Sequence, residues 1–205
     1  MHIIAGRFKG FPIPAALKGT RPTTDRTKEA IFSHLEALGA LDGAKVLDLY
    51  AGTGALGFEA LSRGASSLES VESSGRAAGL LSRSAAKLAH HPAWNSDMDI
   101  HVSRTKVERF VRPFETNMNT DFSAGQSCPM KEPYDLIFMD PPYDLPTEDC
   151  QEIMNGLVEG QFVGSNSVMV LERSGRSNPP EPPVAWVISQ SRSYGETSVY
   201  YIESA

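Results

Sequence analysis

Apolar positions along the chain follow two alternating rhythms. Residues 44–50 form a short, nearly continuous apolar run of the kind that fills a strand buried on both faces, and residues 55–63 then carry apolar side chains at helical spacing. The alternation repeats. Residues 67–72 read as a strand, the alanine-rich stretch 75–88 as a helix, 100–103 as a strand and 107–111 as a short helix. Residues 134–139, 147–159 and 167–172 add a strand, a helix and a strand. Beyond them, 185–192 and 197–203 alternate apolar and polar positions around Tyr194 and Gly195, the pattern of an antiparallel pair. This βαβα succession predicts an α/β fold, a mostly parallel sheet with helices on both faces and an antiparallel pair at its end.

Ahead of this body, residues 2–5 and 11–13 look like short strands around the turn-prone Arg7-Phe8-Lys9-Gly10, a small hairpin. Thr24 or Asp25 then caps a helix whose Ile31, Leu35 and Leu38 share one face. The expected division is an arm over residues 1–22 and a main domain over 23–205. Residues 112–133 and the proline-rich 175–183 read as loops.

The 205 residues are 40% hydrophobic and 21% charged, so a folded core is expected without disulfide staples. The net charge of −6 argues at first against a nucleic-acid partner. Its distribution changes the picture. Residues 1–40 hold six basic residues against three acidic ones, a net of +3, which leaves −9 for the rest. A basic arm on an acidic body is a pattern that meets phosphate, although an ordinary solvated hairpin accounts for it equally well. Cys128 and Cys150 stand outside any C-x-x-C pair, so neither a metal site nor a disulfide framework is expected. The N-terminus lacks a signal-type apolar segment, and no apolar run reaches the roughly 18 residues of a membrane span. A cytoplasmic, membrane-free protein is expected.

Two loops carry candidate chemistry. The first follows the 44–50 strand, where Gly52, Gly54 and Gly57 satisfy G-x-G-x-x-G and Glu72 ends the next strand. Taken literally this is a dinucleotide fingerprint, with pyrophosphate on the helix N-terminus and the acid on a ribose. Asp48 alters that reading, because a carboxylate there repels pyrophosphate and attracts a cation. S-adenosylmethionine (SAM) carries an ammonium, a sulfonium and a ribose diol but no phosphate. Asp48 suits the ammonium side, the glycines allow close backbone approach, and Glu72 suits the diol. The second loop, Asp140-Pro141-Pro142-Tyr143, follows the 134–139 strand. An exocyclic base amine is a poor nucleophile because its lone pair is delocalised into the ring. Acceptors at the Asp140 carboxylate and the Pro141 carbonyl favour a pyramidal nitrogen. The two prolines stiffen the backbone that holds the acceptor, and Tyr143 offers a face for a base to stack on.

With these residues in hand the chain resembles the bacterial RsmD family, which methylates guanine N2 in 16S ribosomal RNA. The matching residues are Ile3-Ile4-Ala5-Gly6 with Lys9-Gly10, then Arg21 to Arg26 running into Glu29-Ala30-Ile31-Phe32. They continue through Asp48 to Gly57, Glu59 to Ala65, Glu72, and Asp140 to Tyr143. The resemblance implies a Rossmann-like SAM-dependent methyltransferase fold with a seven-stranded sheet and a basic N-terminal hairpin meeting rRNA. By position, it implies cofactor contacts at Asp48, Tyr50, Gly52, Gly54, Ala55, Glu72 and Ser73, with the backbone of Lys106 and Val107 near the adenine. Catalysis falls to Asp140, Pro141, Pro142 and Tyr143. RNA contacts fall to Arg7, Lys9, Arg21, Thr24 and Arg26, the last three near the mouth of the site. Related enzymes usually carry an acid or amide after the third strand, where this chain has Ser103-Arg104-Thr105-Lys106. So small a basic footprint favours rRNA in a partly assembled small subunit as the partner, with no obligate protein partner. Alternatives left open are DNA adenine-N6 methylation, another nucleic-acid amino-methyltransferase, an NAD-dependent oxidoreductase, and a non-catalytic RNA-binding assembly factor on the same fold.

Overall fold

The computed structural model describes residues 1–15, 24–112 and 132–205. Arg21, Cys128 and most of the 112–133 loop lie outside them. A single seven-stranded sheet runs through the molecule in the order β3-β2-β1-β4-β5-β7-β6. Its strands are β1 (Lys45–Leu49), β2 (Ser67–Val71), β3 (Asp99–Ser103), β4 (Tyr134–Met139), β5 (Val163–Ser174), β6 (Trp186–Tyr194) and β7 (Thr197–Ser204). The first five are parallel, and β7 inserts antiparallel between β5 and β6.

Period-two alternation puts β1 between two cores. Val46 packs with helices α1 (Asp25–Ala37), α2 (Ala55–Ser62) and α3 (Gly75–Leu88) on one face. Leu47 and Leu49 pack with α4 (Val107–Phe110) and α5 (Thr147–Glu159) on the other. The chain winds outward from β1 to β3 and then crosses back to β4, so β1 and β4 are neighbours, with Asp48 opposite Phe138 and Leu49 opposite Met139. That reversal opens a crevice at the carboxyl ends of the two strands.

The first residues dock on this body. The two short strands expected there reduce to one antiparallel bridge, His2 to Pro12. Two causes are visible. Pro12 and Pro14 have no N–H to extend a ladder, and the amides of Ile4 and Ala5 instead donate to the Glu59 carboxylate, at 2.8 and 3.0 Å. Ile3, Phe8 and Ile13 are buried. Phe8 stacks on Trp94 at 6.1 Å and meets His91 edge-on at 5.3 Å. Ser62, at the end of α2, accepts the Arg7 N–H on its carbonyl and the Phe8 N–H on its hydroxyl. Gly6 is obligatory at this contact, with φ +78° and a Cβ position 2.0 Å from the Ser62 carbonyl oxygen. Lys28, counted by charge as part of a basic arm, is fully buried and faces Glu59 at 3.7 Å. Among the described residues no helix is long and apolar enough to cross a membrane.

Candidate active site

The loop after β1 is shaped by its glycines, each for a different reason. Gly54 sits at φ +88° and opens α2 without a side-chain cap. A Cβ there would lie 2.6 Å from Leu81 and 2.7 Å from Phe58. A Cβ on Gly57 would stand 2.7 Å from Leu68 and 2.9 Å from the Asp48 carboxylate, so this glycine lets α2 lie close on the sheet. Gly52, at φ +56°, faces open space, with nothing nearer to its Cβ position than the Tyr50 carbonyl at 3.9 Å. Tyr50 also adopts positive φ, +61°. Its phenol is buried, and burial together with the nearby Glu108 raises its pKa.

Three carboxylates converge around this loop. Asp48 is 2% exposed and accepts the Gly57 N–H on Oδ2 at 3.1 Å, supplying the cap that α2 otherwise lacks. Burial pushes its pKa up to about 7. The Gly57 hydrogen bond opposes the rise, and the charges of Asp140 and Glu72 add to it. Glu72 bridges two loops, accepting the Gly52 N–H on Oε2 at 2.9 Å and the Ser74 N–H on Oε1 at 2.6 Å. Its remaining lone pairs can take two hydroxyls of a diol. Ala55 is half-buried at the start of α2, and Ser73 is exposed beside Glu72. Beyond Glu72 along the same edge, after β3, Lys106 is exposed, while Val107 buries its side chain in the core, so only its backbone can face a ligand.

Asp140 ends β4 beside β1, and Pro141 is buried behind it. The Pro142 carbonyl accepts the Leu145 N–H at 2.9 Å and closes a turn. Tyr143 is 43% exposed, and its hydroxyl lies 3.3 Å from Thr197 Oγ1 at the start of β7. Two positions not anticipated from sequence brace this loop. Thr197 steadies Tyr143. Arg173, 3% exposed at the end of β5, donates to the Leu145 carbonyl at 2.7 Å. Neither carries a local motif; each is placed only by strand pairing across the sheet.

The expected RNA residues fall in different places. Thr24 is the N-cap of α1, accepting the Thr27 N–H at 3.2 Å, and Arg26 is exposed in the first turn. Arg7 and Lys9 are exposed, but they sit beside the end of α2 and the segment entering β3, where Arg7 reaches Met98 Sδ at 3.7 Å. That is the amino edge of the sheet, opposite the carboxylates.

Similarity to known proteins covers the whole arrangement. The family model described as conserved hypothetical protein 95 matches residues 1–203. Ribosomal RNA small subunit methyltransferase D of Escherichia coli is 26% identical over 202 residues, covering 97% of this chain and 87% of that one. The solved structure of a hypothetical protein from Thermus thermophilus superposes with a TM-score of 0.73 at 22% identity, covering 99% of each chain. The fold is also similar to that of a magnesium protoporphyrin IX methyltransferase from Synechocystis solved with bound SAM, at a TM-score of 0.59 and 11% identity over 91% of this chain and 87% of that one. With the model matched from end to end and the glycine loop, Glu72 and D-P-P-Y gathered at one edge of the sheet, the chain belongs to the conserved hypothetical protein 95 family, the RsmD family.

Proposed function

We propose that this protein transfers a methyl group from SAM to the exocyclic N2 of a guanine in small-subunit ribosomal RNA, in the cytoplasm. The observation that carries the reading is the convergence of Asp48, Glu72 and Asp140 around an open glycine loop. Three acids repel a pyrophosphate and favour a cation bearing a diol, which disfavours a nicotinamide dinucleotide. The name of the Escherichia coli relative supports small-subunit rRNA as the acceptor over DNA.

The donor set fits SAM: Asp48 toward the ammonium, Glu72 toward the ribose hydroxyls, and the Gly52 backbone with room above it. Bound there, SAM supplies a methyl group on a positively charged sulfur. The chain's own contribution lies on the amine side. The Asp140 carboxylate and the Pro141 carbonyl accept the two amine hydrogens and hold the nitrogen pyramidal, its lone pair directed at the methyl. The Pro142 carbonyl is occupied by Leu145, which leaves the Pro141 carbonyl to the substrate. Tyr143, steadied by Thr197, presents its ring to the unstacked base. The surplus proton leaves the product amine through the Asp140 carboxylate toward solvent.

The test is transfer of labelled methyl from SAM to small-subunit rRNA, free and in partly assembled particles, followed by nucleoside analysis. Label in N2-methylguanosine is expected. Label in N6-methyladenosine, or SAM binding without transfer to any RNA, would overturn the reading.

A further inference from the structure

The −9 assigned by sequence to everything beyond residue 40 conceals a second basic region. Residues 75–104, which carry α3 and β3, hold four basic residues against two acidic ones, and three of the four lie on α3. Arg76, Arg83 and Lys87 lie on α3 at spacings of seven and eleven residues. At 100° per residue these turns return to within about 20° of one line, along about 16 Å of helix. All three side chains are exposed, and none has an acidic partner among the described residues. Arg104 extends the line at the carboxyl edge. Its guanidinium lies over the first turn of α3, 2.6 Å from where a Cβ on Gly75 would stand. At the other end α3 finishes against the docked arm, where His91 meets Phe8 and Phe11.

Position matters here as much as charge. Arg7 and Lys9 sit at the amino edge of the sheet, opposite the edge that carries Asp140, so these two residues by themselves do not reach the site. The α3 line runs from the arm to the carboxyl edge of the sheet, where α3 begins three residues after Glu72. The opposite face of the sheet carries α5, with Glu148, Asp149, Glu152 and Glu159, and α4, where Glu108 offsets Arg109, so that face has no comparable basic line.

We propose that the exposed face of α3, through Arg76, Arg83 and Lys87, is a phosphate track that carries the substrate RNA strand from the arm to the carboxyl edge of the sheet at Arg104, beside Glu72. The inference rests on the rRNA reading above and adds the path of the strand. The contacts are to backbone phosphate, so they position the strand without reading its sequence.

The experiment compares the full chain with the triple variant Arg76→Gln, Arg83→Gln, Lys87→Gln. A control, Arg176→Gln, alters an arginine paired with Glu196 elsewhere. Binding to small-subunit rRNA is measured across salt concentrations, with methyl-transfer kinetics and SAM affinity alongside. The triple variant is expected to lose about 2 from the slope of log K against log salt, at about 0.7 per phosphate contact, and to raise the KM for RNA by about tenfold or more. SAM affinity, kcat and melting temperature stay unchanged. Arg76→Lys with Arg83→Lys, which keeps the charges, is expected to behave as the parent. An unchanged slope and KM in the triple variant overturns the track while leaving the methyltransferase reading intact. A parent protein that methylates no RNA overturns both.

Discussion

Glu59 and Lys28 face each other across 3.7 Å, and neither side chain reaches solvent. Glu59 also accepts the amides of Ile4 and Ala5 and the Arg63 Nε, so one buried carboxylate ties the arm, α1 and α2 together. Removing one member of such a pair strands the other charge in a medium that cannot solvate it. Glu59→Ala is expected to destabilise the protein by about 3–5 kcal/mol. In denaturant melts, Lys28→Met combined with Glu59→Gln should lose less than the two single losses added together. Additive losses would show that the ion pair is not the linkage.

The buried Asp48 carboxyl makes stability depend on pH, and on the SAM reading proposed above it should make SAM affinity depend on pH as well. Its pKa is raised from 3.8 to about 7 by burial. Between those values the native protein holds a proton that the unfolded chain has released, so stability falls as pH rises through the window and levels off above it. A cationic ligand favours the ionised carboxylate and must displace that proton when binding below pH 7. SAM affinity is therefore expected to weaken by up to about tenfold per pH unit below 7, and the rise in melting temperature on adding SAM should be larger at pH 8 than at pH 6. Asp48→Asn should flatten both profiles. A parent affinity that is flat from pH 5.5 to 8 would sink the assignment.

The glycines of the first loop separate stability from binding. Gly57→Ala pushes a methyl into Leu68 and Asp48 and is expected to lose roughly 1–3 kcal/mol of stability. Gly52→Ala points its methyl into open space, and its strain at φ +56° is about 1–2 kcal/mol. Its larger effect should be on SAM affinity. Thermal melts and SAM titrations of the two variants should rank them in opposite orders; the same ranking in both would mean that the space over Gly52 is not where the cofactor lies.

Asp140→Ala removes one of the two acceptors proposed for the amine. Methyl transfer is expected to fall by about 10²–10³-fold, in the range seen when one preorganised polar contact to a reacting group is removed. SAM affinity should change little. Activity equal to the parent would remove Asp140 from the mechanism.

Much of this architecture was legible in the chain. Helix α3 spans the residues its apolar spacing predicts, and the ends of β1 and β4 fall where the glycine loop and D-P-P-Y begin. Local patterns report local structure, and the misreadings follow from that. Lys28 reads as solvent-facing because its partner Glu59 is 31 positions away. The first third of β5 is hidden because Gly164, Ser165 and Asn166 are not apolar, yet pairing with β4 across an irregular register starts the strand at Val163. Arg173 and Thr197 have no motif at all; Arg173 meets the D-P-P-Y loop because β5 pairs with β4, and Thr197 because β7 turns back between β5 and β6.

That last insertion has a consequence for how the protein is made. β5 gains its second neighbour, and the loop holding Tyr143 its bond to Thr197, only when β7 has been synthesised and threaded into the sheet. A nascent chain still lacking β7 would already hold the glycine loop and Asp140, with β5 as the open edge of a five-stranded parallel sheet. The brace on Tyr143 thus forms after the parallel part of the sheet, from a strand that arrives later in the chain.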